Sequence, residues 1–136
     1  MTTIYSVLRV STLLSIGIAA SASPATDRMR PGQWVGTTIA DGKKYPTSEC
    51  MSPQNAVLLN GDAKAVQSYL ETTIPPEICR ISDVKADGPR VVYTASCTAG
   101  TMKTVKTVTS VFFGNRMEGT DSAGGKSDAK LVGPCK

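Results

Sequence analysis

Residues 79–97 read CRISDVKADGPRVVYTASC, and this stretch predicts a β-hairpin that sets the fold. Two runs with strand composition, 79–85 and 90–97, flank the turn sequence Ala86-Asp87-Gly88-Pro89. A hairpin centred on Gly88 places Cys79 opposite Cys97, Ile81 opposite Ala95, Asp83 opposite Tyr93 and Lys85 opposite Val91. Directly opposed residues have Cβ atoms about 4.5–5.5 Å apart, a spacing that strand twist can adjust to that of a disulfide.

The four cysteines of the chain predict two structural disulfides. They contain no C-x-x-C pair, which argues against thioredoxin-type chemistry, haem attachment and a zinc ribbon. The chain has no histidine either, so we expect no metal site and no cofactor. The hairpin register favours Cys79–Cys97, which leaves Cys50 to pair with Cys135. On sequence alone the alternative, Cys50–Cys79 with Cys97–Cys135, stays open.

Further strands are predicted on both sides of this hairpin. Towards the C-terminus, residues 101–113, 116–121 and 126–132 have strand composition and are separated by short glycine-containing turns. Towards the N-terminus, Asp41-Gly42 is a two-residue hairpin signal between residues 33–39 and 43–49. Pro46 favours an edge position for the second of these strands. Residues 23–30 are polar and predict a loose leader.

Residues 52–74 change to a helical pattern. Ser52 and Pro53 are typical of a helix start, and Asn60-Gly61 is typical of a helix end. Asp62 can cap a second short helix, and Pro75-Pro76 would end it. The sequence therefore predicts one broken helix or two short ones, inserted after the second strand.

The predicted fold is α+β: a curved antiparallel meander of about six or seven strands, with a helical insertion after the second strand and two disulfides. The expected core consists of nine residues: Trp34, Leu58, Leu59, Val66, Leu70, Ile81, Val92, Val108 and Phe112.

The first residues predict an export signal. Arg9 precedes the uncharged run 10–20, and Ala20-Ser21-Ala22 is a small-x-small cleavage pattern. The apolar run is shorter than the roughly 20 residues that a spanning helix needs. We therefore expect residues 1–22 to be a secretory signal peptide cleaved after Ala22. Residues 23–136 would then form a single disulfide-stabilised domain with no membrane span.

Charge and composition exclude several functions. The chain carries 15 Lys and Arg against 11 Asp and Glu, a net charge of +4, and its cations are neither clustered nor interleaved with aromatic residues. A nucleic-acid interface is therefore not expected. Without histidine, Ser-His-Asp and Cys-His catalytic arrangements cannot be assembled. The spacing of the acids selects no carboxylate pair for glycoside cleavage.

The segment Gly32-Gln33-Trp34 points to a cupped sheet. A G-x-W at the start of a first strand also occurs in lipocalin-type barrels, where the tryptophan closes the barrel floor. A lone tryptophan is more often an ordinary core residue. The other interpretation, in which Trp34 closes the floor of a cupped sheet, predicts a sheet that holds an apolar ligand.

The chain resembles a family of small bacterial periplasmic proteins called domain of unknown function 3617. Its members share an Arg-Pro-Gly-x-Trp start, present here at residues 30–34, and a Gly-Pro-Cys end, present at residues 133–135. Between them lie the four cysteines in the expected order, a Cys-Met-Ser-Pro turn at residues 50–53, and a central segment that includes Tyr93. The resemblance implies a periplasmic location and supplies no activity or cofactor.

These observations predict a periplasmic, monomeric, non-enzymatic binding or accessory protein. Its partner would be a small apolar ligand or an envelope protein, and Trp34 and Tyr93 are the residues expected on the ligand or partner face. One alternative is a histidine-independent hydrolase built from carboxylates or a Ser/Lys pair. Another is a secreted enzyme inhibitor that blocks its target with a rigid loop such as residues 42–46.

Overall fold

The computed structural model describes residues 27–136, in which seven strands form one antiparallel sheet and two helices lie between the second and third strands. The strands are β1 (Gly32–Ala40), β2 (Lys43–Met51), β3 (Cys79–Asp87), β4 (Arg90–Ala99), β5 (Met102–Phe112), β6 (Arg116–Asp121) and β7 (Lys126–Gly133). The helices are α1 (Pro53–Leu59) and α2 (Ala63–Thr73). The predicted export signal, residues 1–22, lies outside the described residues.

The strand order is β2-β1-β7-β6-β5-β4-β3, so consecutive strands from β3 to β7 are neighbours and β1 pairs with β7. β2 and β3 are the two edges, and the helical insertion connects one edge to the other. The predicted antiparallel meander with a helical insertion after the second strand is confirmed. Asp41 and Gly42 both have positive φ, at 51° and 71°, as the predicted two-residue hairpin turn between β1 and β2 requires.

Of the two predicted alternatives, the structure has two short helices, and each has its own cap. The Ser52 hydroxyl accepts the Asn55 backbone N–H at 3.1 Å at the start of α1. The Asp62 carboxylate accepts the Ala65 N–H at 2.9 Å at the start of α2. Satisfying these otherwise unpaired N–H groups stabilises each helix start by about 1 kcal/mol.

The core lies between the helices and one face of the sheet. Its buried members are Met29, Trp34, Met51, Ala56, Leu59, Val66, Tyr69, Leu70, Ile81, Val91, Ala95 and Phe112. The prediction that Val92 and Val108 belong to the core was wrong. Val92 is only half-buried because side chains alternate along β4, so that Val91 and Ala95 face the helices instead. Val108 is also only half-buried, and its partner on β6 is the charged residue Asp121.

A β-bulge in β3 corrects the predicted hairpin register. Cys79 to Ser82 pair as predicted, with Ile81 opposite Ala95, but Lys85 lies opposite Val92 rather than Val91. Asp83 and Val84 together face the single residue Tyr93, and Asp83 has a positive φ of 53°. The extra residue turns Val84 and Ala86 towards the core and leaves Asp83 and Lys85 exposed. Without the bulge, the two charged residues would share the face of Ile81.

Both predicted disulfides are present. Cys79–Cys97 joins opposed residues of β3 and β4, with Cα atoms 4.0 Å apart. Cys50–Cys135 joins the end of β2 to the segment after β7, with Cα atoms 5.3 Å apart. Cys50 lies two residues before the α1 cap and Cys79 follows the end of α2, so the two bridges flank the helical insertion.

Candidate functional site

A cavity of about 420 Å³ lies between the helices and the sheet. Leu59, Leu70 and Ile74 form its helical wall, which we call the roof. Val91, Phe112 and Met117 form the apolar part of its sheet wall. The volume falls within the range of about 300–1,000 Å³ that is usual for small-molecule sites, and the mixture of aliphatic and aromatic side chains is typical of them.

Five polar residues also line this cavity: Glu49, Tyr69, Thr73, Tyr93 and Ser110. The Tyr69 hydroxyl donates to Glu49 Oε1 at 3.4 Å, which links α2 to β2. The Thr73 hydroxyl donates to the backbone carbonyl of Tyr69 at 3.0 Å and is therefore engaged within the helix. The cavity thus combines apolar walls with a small set of converging polar groups.

Both tyrosines of the cavity have raised pKa values. Burial raises the pKa of Tyr69 far above its ordinary value of 10.0, and the negative charge of Glu49 and the hydrogen bond to it raise this pKa further. Burial also raises the pKa of Tyr93. Both phenols therefore keep their protons at neutral pH, and the Tyr69 hydroxyl donates its proton to Glu49.

Glu49 is the single charged residue among the described residues that line the cavity. It is exposed, whereas the Tyr69 ring against it is buried, so Glu49 lies where the cavity opens to solvent. No Lys or Arg within residues 27–136 lines the same space. Among the described residues, one carboxylate is consequently the charged group in direct contact with this space.

The sheet must be curved to form this site. Glu49 on β2 and Tyr93 on β4 are five strands apart in the sheet order. Five strand spacings would separate them by about 24 Å in a flat sheet. Because both line one cavity of about 420 Å³, the helix-facing side of the sheet is concave.

Residues 28 and 29 are anchored at the rim of the cavity, which corrects the loose-leader prediction for the described end of residues 23–30. The Arg28 guanidinium donates to three backbone carbonyls, those of Leu59, Gly61 and Gly88, at 2.7–2.8 Å. The Asn60 side chain accepts the backbone N–H of Met29 at 2.9 Å and donates to its carbonyl at 2.9 Å. These contacts hold the Met29 side chain against the cavity, which it helps to line.

The two residues predicted on the ligand face lie in different places. Tyr93 lines the cavity. Trp34 is 2% exposed, and its indole N–H donates to the Arg30 carbonyl at 2.9 Å, so it supports the core beside the cavity. The sequence did not predict that Glu49 and Tyr69 would line the cavity together and share a hydrogen bond. Tyr69 lies on α2, and nothing local in the sequence connects it to a carboxylate on β2.

Two further features bear on the functional classes. Within residues 27–136, no group of three or more His, Cys, Asp and Glu side chains is arranged to hold a metal ion. None of the helices described is long and apolar enough to cross a bilayer.

Residues 29–135 match the family model described as "Protein of unknown function (DUF3617)". No curated protein and no solved structure matches the chain significantly.

Proposed function

The chain belongs to the DUF3617 family, and we propose that it is a non-enzymatic binding protein for a small, largely apolar ligand. The observation that carries the proposal is the cavity of about 420 Å³ between the roof and the concave face of the sheet. A domain of this size normally fills such a space with side chains, because interiors are close-packed. A retained cavity with apolar walls and a few polar groups therefore favours ligand binding. A flat protein partner would need no such concave, largely apolar space between helices and sheet, so the cavity favours the small-ligand version of the prediction.

The polar groups of the cavity support binding better than hydrolysis. A general acid or base works best when its pKa lies near the working pH. The pKa values of Tyr69 and Tyr93 are shifted upward, away from neutrality. Among the described residues that line the cavity, Glu49 is the one carboxylate, whereas glycoside hydrolysis by carboxylates uses a pair.

The inhibitor alternative named residues 42–46 as an example of a rigid loop. In the structure Lys43 to Pro46 belong to β2 and pair with β1, with Pro46 opposite Thr37. This segment is therefore an edge strand rather than a loop, so it gives the inhibitor alternative no support.

The proposed location is the periplasm. Disulfides persist in oxidising compartments and are rare in the cytosol. The two disulfides support a location outside the cytoplasm, and the predicted signal sequence over residues 1–22 and the resemblance stated above favour the periplasm.

The proposal can be tested with N-phenyl-1-naphthylamine, a fluorophore that is uncharged at neutral pH and brightens in apolar sites. We expect saturable binding by the oxidised protein. Ser110→Phe places a large ring in the cavity and should weaken this binding at least tenfold. Thr109→Phe, on the opposite face of the same strand, is the matched control and should change it less than twofold.

Overpacking can also destabilise the protein, so the thermal transition of each variant is measured in parallel. Ile74→Trp, which fills the cavity from the roof, provides a second variant if Ser110→Phe does not fold. An absence of saturable binding by the unmodified protein would overturn the proposal. So would unchanged binding in folded, cavity-filled variants.

A further inference from the structure

Within the described residues, the cavity is lined by one acidic residue and by no basic one, and this favours some apolar ligands over others. We infer that its ligand is a cationic amphiphile: an apolar body in the cavity and an ammonium group against the Glu49 carboxylate. The inference rests on the proposed function and goes beyond it by naming the chemical class of the ligand. It depends on Glu49 being the single charged residue that lines the site within the described chain.

The position of Glu49 suits an ionic head group. Its exposed carboxylate lies at the opening, while Leu70, Val91 and Phe112 line the interior. An amphiphile that inserts its apolar part would leave its head group at the opening, where both charges keep part of their hydration. The desolvation that makes a fully buried ion pair costly is therefore reduced.

The hydrogen bond that Glu49 accepts from Tyr69 is long, so a ligand can offer the carboxylate a stronger donor. The Tyr69 hydroxyl donates to Oε1 at 3.4 Å, which is long for a hydrogen bond between oxygens. An ammonium group makes a shorter and charge-assisted bond to a carboxylate. Tyr69 and Tyr93 also place two aromatic rings on the walls, and such rings attract cations over their faces.

Anionic amphiphiles are disfavoured by the same geometry. A fatty-acid carboxylate at the opening would meet the like charge of Glu49. The described residues that line the cavity include no Lys or Arg to offset that repulsion. A neutral alcohol of equal chain length would gain the apolar contacts without the ionic one.

The test compares dodecylamine, 1-dodecanol and dodecanoate as competitors of N-phenyl-1-naphthylamine, each below its aggregation concentration and at low salt. We expect the amine to bind up to about fivefold more tightly than the alcohol, the gain typical of one solvent-exposed ion pair. We expect the acid to bind more weakly than the alcohol. Because the whole chain has a net charge of +4, non-specific attraction would favour the acid, so a preference for the amine reports the site.

Glu49→Gln is the decisive variant. It should abolish the preference for the amine over the alcohol, because the neutral amide cannot form a charge-assisted bond to the ammonium group. Glu77→Gln makes the same change of net charge at an exposed residue outside the cavity and should preserve the preference. Equal binding of acid and amine, or a preference that survives Glu49→Gln, would overturn the cationic class while the binding function stands. If neither the fluorophore nor any of the three compounds binds, both proposals fail.

Discussion

The guanidinium Nε of Arg28 donates to the carbonyl of Gly88 at 2.7 Å, across a sequence separation of 60 residues. The same side chain donates from Nη1 to Leu59 and Gly61, at the end of α1. One arginine thereby ties the start of the described chain to the link between the helices and to the β3–β4 turn. Burial lowers its pKa from the usual arginine value, but the guanidinium remains charged at neutral pH.

Arg28→Ala should therefore lower the free energy of unfolding by about 2–4 kcal/mol, because it removes the donors of three carbonyls and buried packing. Urea denaturation at neutral pH measures the change. Arg30→Ala is the control: Arg30 is exposed, its ion pair with Asp27 is on the surface, and its loss should cost less than about 1 kcal/mol. Equal urea midpoints for the two variants would show that the Arg28 contacts are dispensable.

The two disulfides should contribute unequally to stability. Under the chain-entropy model, Cys79–Cys97, with a separation of 18 residues, contributes about 3 kcal/mol, and Cys50–Cys135, with a separation of 85, contributes 4–5 kcal/mol. Paired Cys→Ala variants, each removing one bridge, should show this order in urea denaturation. The opposite order would mean that residual structure in the unfolded chain, rather than loop length, determines the effect.

The backbone at Asp83 gives a prediction about the bulge. Because Asp83 has a φ of 53°, Asp83→Val should destabilise the protein by about 1–2 kcal/mol, whereas Asp83→Gly should be tolerated. Lys85→Val is the control, since Lys85 is exposed on the same strand and is not among the residues with positive φ. Thermal unfolding distinguishes the three variants. If Asp83→Val matched Lys85→Val, the bulge would have to move to another residue at little cost.

Asp121 predicts a specific acid sensitivity. The backbone N–H of Gly125 lowers the pKa of this carboxyl most strongly, and the N–H of Ala123 and the charge of Lys106 lower it further. A lowered folded-state pKa gives stability above the ordinary value of 3.8, and that stability is lost as pH falls through the folded value.

Asp121→Asn should therefore have a lower urea midpoint than the unmodified protein at pH 7, and the difference should shrink as the pH is taken below 3.8. Asp128→Asn, at an exposed residue of β7, is the control for net charge and should show little difference at either pH. A difference for Asp121→Asn that is independent of pH would assign the effect to turn geometry rather than to ionisation.

Local patterns were sufficient to predict most of the fold. The caps at Ser52 and Asp62, the Asp41-Gly42 turn and the opposed Cys79 and Cys97 each depend on residues that are close in sequence or on one hairpin. The register failed at Asp83 because a bulge inserts one residue, although the apolar spacing from Ile81 to Val84 carried that signal.

The site was harder to predict because its residues meet only through the curvature of the sheet. Glu49 and Tyr93 lie on strands far apart in both sequence and sheet order, and Tyr69 reaches Glu49 from a helix. Arg28 was missed for a related reason. A polar segment gives no local indication that three distant carbonyls will surround its arginine.

The flanking positions of the two disulfides determine how the cavity can open. With Cys50 and Cys79 both fixed to the sheet, α1 and α2 can leave it only as a loop with tethered ends. A tethered loop gains less conformational entropy on release than a segment with a free end. Separation of the roof from the sheet is therefore entropically restrained, and the restraint is stronger in the oxidised protein, in which both bridges hold the ends of the loop, than in the reduced one.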